Sequence, residues 1–160
     1  MRKRLAALAV AVVSAAAPVP ALAGPLPPDT TIYIGVGVPD TGSMFSNTGI
    51  STTFICSNGS GATANLRIAI LHATGPLAGS HSFTLLHGRT WTGATRATAA
   101  FFDFVSITPN NTVLEQGTVI IESDQSGVFC SAYITDGAAV TPVGVPLRLL
   151  RLNPHPGVLE

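Results

Sequence analysis

Charged side chains are scarce in this chain, and positive charge is the scarcest of all. The sequence has eight basic and eight acidic residues, so charged residues make up 10% of it, against roughly a quarter in an average globular protein. Three of the basic residues lie within the first four positions, and no lysine follows them. Because no basic stripe exists to neutralise phosphates, a nucleic-acid partner is unsupported. Attachment to anionic lipid is equally unsupported.

The chain also lacks an apolar run long enough to span a bilayer. The N-terminus reads Met-Arg-Lys-Arg, then an apolar stretch at 5–17, then Ala-Leu-Ala at 21–23. That stretch is shorter than the roughly 20 residues of a spanning helix, and the pattern is typical of a secretory signal peptide. We therefore expect cleavage after Ala23, no stable membrane insertion afterwards, and a periplasmic or extracellular protein. The alternative is an uncleaved helical anchor.

Cysteine is limited to two residues, Cys56 and Cys130. Each lies in a run of β-branched and aromatic residues, Ser-Thr-Thr-Phe-Ile-Cys at 51–56 and Gly-Val-Phe-Cys-Ser-Ala-Tyr-Ile-Thr at 127–135. Two cysteines in an exported chain favour one disulfide that joins an early strand to a late one. The alternative is a pair of buried thiols that act as small apolar side chains.

No window outside the signal shows the 3.6-residue period of an amphipathic helix, and short alternating runs recur instead. They predict about eight strands, at 31–38, 51–56, 63–73, 80–86, 96–107, 117–122, 127–135 and 145–152. This spacing favours an all-β protein, an antiparallel β-sandwich, with a closed barrel as the second choice.

The sequence predicts one domain with short flanking segments. We divide it into a signal peptide at 1–23, a proline-stiffened leader at 24–29, the β-sandwich domain at 30–153 and a tail at 154–160. The predicted strand Thr31–Val38 places its isoleucines and valines on one face, with Tyr33 and two glycines on the other. A strand that follows a leader could pair with the open edge of a neighbouring copy, so self-association through this edge strand is one hypothesis.

Three segments resemble a known group of proteins. They are Thr-Phe-Ile-Cys-Ser-Asn at 53–58, Arg-Ala-Thr-Ala-Ala-Phe-Phe at 96–102 and Cys-Ser-Ala-Tyr at 130–133. Together they resemble small exported bacterial immunoglobulin-like β-sandwich proteins. The resemblance implies an immunoglobulin-like shape and brings no catalytic residues. The chain departs from antibody domains, since Trp91 lies far from Cys56 and Tyr133 follows the second cysteine.

The tetrapeptide Asp-Thr-Gly-Ser at 40–43 matches the active-site motif of aspartic proteases. Those enzymes need two such carboxylates that share a proton, and this chain has one copy, so catalysis would require a homodimer. Pro39-Asp40-Thr41-Gly42 is also good turn chemistry. We interpret the motif as a turn and keep a hydrolase built on Asp40 as the alternative.

The histidines and carboxylates give weaker signals. His72, His81 and His87 could supply the three nitrogens of a zinc site with an open fourth position. No paired spacing such as His-x-His accompanies them, so we expect histidines at strand ends and no metal or other cofactor. Four further acidic residues are interpreted as solvated charges at strand ends, namely Asp103, Glu115, Glu122 and Asp124.

Trp91, between Arg89 and Arg96, is the best ligand-binding candidate in the sequence. A tryptophan flanked by arginines in one loop can form a stacking platform for a sugar or an aromatic group. The alternative is that Trp91 plugs one end of the sandwich. The sequence thus favours a non-enzymatic exported module for binding or assembly, with a protein or a carbohydrate as ligand. A small secreted hydrolase or metal-binding protein is the alternative.

Cleavage of the signal peptide can be tested directly. Protein recovered from the periplasm or medium of an expressing bacterium is expected to begin at Gly24, because Ala23 completes the small-x-small site. N-terminal sequencing and intact mass check this, and an Ala23→Arg variant should retain the longer chain. Recovery of the wild-type protein with Met1 in place would contradict the prediction.

Overall fold

A computed structural model describes residues 25–41, 48–101, 105–109, 112–141 and 143–152. Within these ranges the structure is all β, with no helix. Its nine strands are β1 (Pro25–Val36), β2 (Ile50–Asn58), β3 (Ala64–His72), β4 (Leu77–Leu85), β5 (Thr90–Ala94), β6 (Gly117–Gln125), β7 (Val128–Asp136), β8 (Gly144–Leu147) and β9 (Leu149–Arg151). The predicted signal peptide and the tail at 154–160 lie outside the described residues.

The strands form two antiparallel sheets that share one hydrophobic core. Sheet 1 has the order β4-β3-β6-β1-β9, and sheet 2 has the order β5-β2-β7-β8. Alternating residues on each sheet face the other sheet, and among the largest fully buried ones are Ile32, Phe54, Ile68, Ile70, Val119, Ile121 and Val128. The Tyr33 hydroxyl spans the two layers and donates to the Val128 carbonyl at 3.3 Å. The prediction of an all-β protein built from antiparallel sheets is confirmed.

β1 begins earlier than predicted, and its faces change along its length. It starts at Pro25, so the segment assigned to a leader belongs to the sheet, and Leu26 is buried in the core. A register shift between Thr31 and Tyr33 inserts one residue opposite β6. Because one extra residue inverts the alternation, Tyr33 faces the core while Val36, expected inside, is 69% exposed.

Two further predicted strands differ from the structure. The segment at 145–152 divides into two strands: β8 pairs with β7 in sheet 2, while β9 pairs with β1 in sheet 1. The sequence around Trp91, predicted to be a loop, is strand β5. By contrast, the described part of 96–107 forms no strand, and only an isolated bridge joins Ser106 to Ala94.

The two cysteines form one disulfide, as predicted. Cys56 on β2 and Cys130 on β7 are direct cross-strand partners, with Cα atoms 4.2 Å apart. The bond therefore links neighbouring strands within sheet 2, whereas the disulfide of antibody domains joins two sheets. Both side chains belong to the inward face of their strands, and Cys56 is fully buried. The disulfide fixes the β2–β7 register at the centre of the sheet.

Replacement of both cysteines by alanine should destabilise the domain by about 4 kcal/mol in the loop-entropy model, because the bond closes a loop of 74 residues. Denaturant unfolding of the purified variant and the wild type measures the difference. A thiol assay on unreduced, denatured wild-type protein should find no free thiol. A loss of stability below about 1 kcal/mol would contradict the loop-entropy estimate.

Candidate functional site

Trp91 is part of the core and not of a surface platform. It lies on β5 opposite Cys56, and its side chain is 8% exposed. Its ring stacks on Phe83 of β4 with centroids 4.1 Å apart, and His81 lies beside both rings at 5.8–5.9 Å. The ring also covers Gly93, where a Cβ would clash with the indole. Trp91 therefore packs the space between β4 and β5, the outer strands on one side of the two sheets.

The two arginines near Trp91 do not converge on it. Arg89 is exposed in the turn before β5, where its carbonyl accepts a hydrogen bond from the Asn58 amide at 3.0 Å. Arg96 contacts Asp40, and its Nε donates to Asp40 Oδ1 at 2.9 Å. The three predicted ligand-binding residues thus occupy three different environments.

Asp40 lies in a buried ion pair. Its side chain is 0% exposed. Besides the bond from Arg96, its Oδ2 accepts a hydrogen bond from Thr108 at 3.0 Å, and its main chain bridges to Leu114 through two hydrogen bonds of 2.7–2.8 Å. Arg96 also reaches the Thr112 carbonyl through Nη2 at 3.3 Å. Because both carboxylate oxygens bind protein groups in the interior, this arrangement holds connecting segments together and offers no open acid–base site.

The three histidines occupy three different places in the structure. His72 ends β3, His81 stacks on Phe83 in β4, and His87 accepts a hydrogen bond from the Gly61 amide at Nδ1. Across the described ranges, no three side chains of histidine, cysteine, aspartate or glutamate are grouped closely enough to hold a metal ion. The weak metal hypothesis therefore receives no geometric support from these histidines.

The face of sheet 1 that points away from sheet 2 carries a polar cleft of about 330 Å³. The paired register aligns outward side chains in rows across the strands, and two polar rows form the cleft floor. The first is Thr84–Asn65, continued by Asp124, and the second is Ser82–Arg67–Glu122. We call this region the polar cleft.

Hydrogen bonds hold the cleft side chains in place. Asn65 donates its amide to Asp124 Oδ2 at 2.8 Å and accepts from the Thr84 hydroxyl at 3.1 Å. In the neighbouring row, Arg67 Nη1 donates to Glu122 Oε2 at 3.0 Å, and the arginine side chain stays 39% exposed. The cleft therefore presents amide, guanidinium, hydroxyl and carboxylate groups whose positions are fixed by each other.

An irregular part of β1 forms one wall of the cleft. Between the paired residues Pro25 and Thr30, the strand has four residues where β6 has only Asp124. Leu26 anchors this bulge in the core, and Asp29 adopts a left-handed conformation with φ of 58°. Aspartate tolerates this conformation better than most residues. As a result, Pro28 and Asp29 line the cleft.

The rest of the same face is mostly apolar. Beyond the polar rows, the register places the following residues side by side: Ser80–Ala69–Ile120–Ile34–Leu150 in one row, and Leu77–Leu71–Thr118–Val36 in the next. Leu150 is 58% exposed and Leu77 is 54% exposed. The outer face of sheet 1 is therefore divided into the polar cleft and an exposed apolar half.

Comparison with known proteins identifies no family. No protein-family model matches the chain, and no curated protein matches it. Among solved structures, the crystal structure of Thermotoga maritima 1070 is similar over 79% of this chain and 93% of that chain, with a TM-score of 0.43 and 11% sequence identity.

Sequence reasoning missed the polar cleft because the cleft depends on register. Asn65 and Arg67 alternate with core residues in a correctly predicted strand, and Glu122 ends the next predicted strand of the same sheet, whereas Asp124 lies beyond its predicted end at 122. That alternation is a signal that Asn65 and Arg67 share an outward face. Only the β3–β6 pairing shows that Arg67 lies opposite Glu122.

The burial of the Asp40–Arg96 pair predicts that replacing Arg96 costs far more unfolding free energy than replacing Arg67. Arg96→Gln should cost about 3 kcal/mol or more of unfolding free energy, because it leaves the Asp40 carboxylate buried without its cation. The control is Arg67→Gln, which loses a partly exposed pair and should cost less than about 1 kcal/mol. Urea unfolding of both variants measures the contrast. Equal losses would contradict the assignment of Asp40–Arg96 as a structural pair.

Proposed function

We propose that this protein is an exported, non-enzymatic binding module whose polar cleft binds a carbohydrate. The observation that carries the proposal is the set of mutually fixed donors and acceptors on the floor of the cleft. Sugar hydroxyls both donate and accept hydrogen bonds, so they match a site that offers both kinds of group. The Asn65 amide and the carboxylate of Asp124 supply such a pair within 2.8 Å of each other.

The size and composition of the cleft favour a small polar ligand. A volume of about 330 Å³ lies at the lower end of the range for small-molecule sites. Such sites are usually apolar with a few polar groups, whereas seven of the ten residues that line this cleft are polar or charged, beside apolar surface from Pro28, Leu66 and Phe83. Arg67 and Asn65 carry more donors than these mutual bonds use, and an apolar ligand would leave the remaining donors unsatisfied, at a cost of about 1–3 kcal/mol for each buried one. Recognition would therefore rest on hydrogen bonds.

The hydrolase alternative loses its main candidate, Asp40. A catalytic carboxylate must reach the proton that it transfers, and Asp40 has no exposed surface. In the cleft, Glu122 binds Arg67 and Asp124 binds Asn65, so both carboxylates support the floor. This geometry supports binding as the role of the cleft.

Export agrees with the covalent structure. The Cys56–Cys130 bond suits an oxidising compartment, since disulfides are rare in the cytosol. The signal-like N-terminus predicts the same compartment. A binding module with a polar cleft would there meet cell-wall or environmental polysaccharides.

Glycan binding by the mature protein tests the proposal. The protein is applied to a microarray of neutral and acidic oligosaccharides, and the best binder is measured by isothermal titration calorimetry. Asn65→Ala should weaken binding about tenfold, or about 1.4 kcal/mol, since it removes an amide that makes two hydrogen bonds in the cleft. The matched control, Thr74→Ala, lies in the exposed β3–β4 turn and should bind like the wild type.

Two results would overturn the proposal. One is a folded wild-type protein that binds no oligosaccharide on the array. The other is a bound glycan whose affinity is the same for wild type and Asn65→Ala, because the ligand would then lie elsewhere.

A further inference from the structure

β4 is an outermost strand of sheet 1, and its free side is unusually open. It has nine residues, Leu77–Leu85, and none of them is charged or proline. Natural proteins commonly protect such edges with charges, proline, bulges or short length. The irregularity in β4 pairing lies at its start, between Leu77 and Gly79, so Ser80–Leu85 is a regular strand.

The hydrogen bonds of β3 show which backbone groups of β4 point outward. The Asn65 amide donates towards β6, to Asp124 Oδ1 at 2.8 Å. Since backbone groups alternate sides along a strand, Leu66 must direct its amide and carbonyl to β4, where its partner is Phe83. The same alternation on β4 directs the amides and carbonyls of Ser80, Ser82 and Thr84 away from β3.

Among the described strands, none pairs with these outward groups. In the ranges that the structure describes, no backbone hydrogen bond reaches Ser80, Ser82 or Thr84 from the side away from β3. All three residues are exposed. Gly79, closer to the start of β4, is covered instead by the backbone of Ile107 and Thr108. The open edge is therefore the segment Ser80–Thr84.

The other outer strands are poorer pairing partners. β5 has five residues, β9 has three, and β8 has four that include Pro146. β1 is paired with β9 only at Tyr33–Gly35, and the part beyond carries Pro27 and Pro28, which lack amide hydrogens. The strand at 31–38, considered for self-association from the sequence, is thus an inner strand at Tyr33–Gly35, between β6 and β9.

We propose that β4 pairs antiparallel with β4 of a second copy, about a two-fold axis at Ser82. In this register Ser82 faces its own counterpart and Ser80 faces Thr84 of the other copy. All three positions direct their backbone groups to the partner, so about six main-chain hydrogen bonds form. The interface is isologous, the commonest arrangement in homodimers.

The side chains of β4 agree with self-pairing. Because the strand carries no charge, two copies meet without like-charge repulsion. His81 of one copy stands opposite Phe83 of the other, which extends the stack that these rings already form with Trp91. On the outer face, small hydroxyl side chains face one another. The dimer would join the two five-stranded sheets and place the two polar clefts on either side of the axis.

Introduction of a charge at the axis tests this dimer without any ligand. Size-exclusion chromatography with light scattering should give twice the monomer mass for the mature wild type. Ser82→Lys and Ser82→Glu should each be monomeric, since like charges would face each other at the axis, and an equimolar mixture of the two should recover the dimer. The control, Thr90→Lys, changes an exposed residue at the start of β5 and should stay dimeric.

Each alternative result is decisive. A monomeric wild type overturns the proposal, and so does a dimer that survives in both Ser82 variants. A dimer lost in Thr90→Lys would place the interface at β5. Circular dichroism and thermal unfolding verify that each variant is folded, and the recovery on mixing is measured on the same two preparations. The dimer test uses no glycan, and the glycan test changes Asn65, which lies on β3 and not on β4, so failure of either proposal leaves the other open to its own test.

Discussion

The buried ion pair between Asp40 and Arg96 holds together the segments that connect the two sheets. Asp40 follows β1 of sheet 1, Arg96 follows β5 of sheet 2, and Thr108 adds a third segment to the same carboxylate. Removing two charges from water costs several kcal/mol for each ion, and the attraction offsets this only when the geometry is good and the remaining polar atoms are satisfied. Here both carboxylate oxygens have partners, so the pair specifies one arrangement of these segments.

The disulfide adds a covalent constraint to this buried ion pair. The disulfide fixes the register of β2 against β7 in sheet 2, while the ion pair acts between the sheets. Trp91 contacts both sheets. It pairs with Cys56 in sheet 2, and its ring stacks on Phe83 of sheet 1. An aromatic side chain packed between the two layers is a poor candidate for a ligand platform, so the structure agrees with the alternative interpretation of Trp91, that it plugs one end of the sandwich.

The sequence predicted features that depend on local pattern and missed features that depend on pairing. Alternation located most of the strands, and the cysteine context predicted the disulfide. The bulge at Ile32 was missed because an inserted residue leaves the residue types of a strand unchanged while it reverses the faces. The Asp40–Arg96 pair was missed because 56 residues separate its members, and nothing in either segment marks the other. The polar cleft was also missed, because its rows of side chains are set by how the strands pair and not by the residue types within one strand.

The scarcity of charge in the sequence explains how the sheet edges differ. Lysine on an edge strand is a common protection against unwanted pairing, and no lysine occurs after position 3. The chain protects its other edges by other means, with prolines in the free part of β1 and in β8, and with short lengths in β5 and β9. None of these devices is present between Ser80 and Thr84. The contrast between this neutral edge and the other described edges is the observation on which the proposed β4 dimer rests.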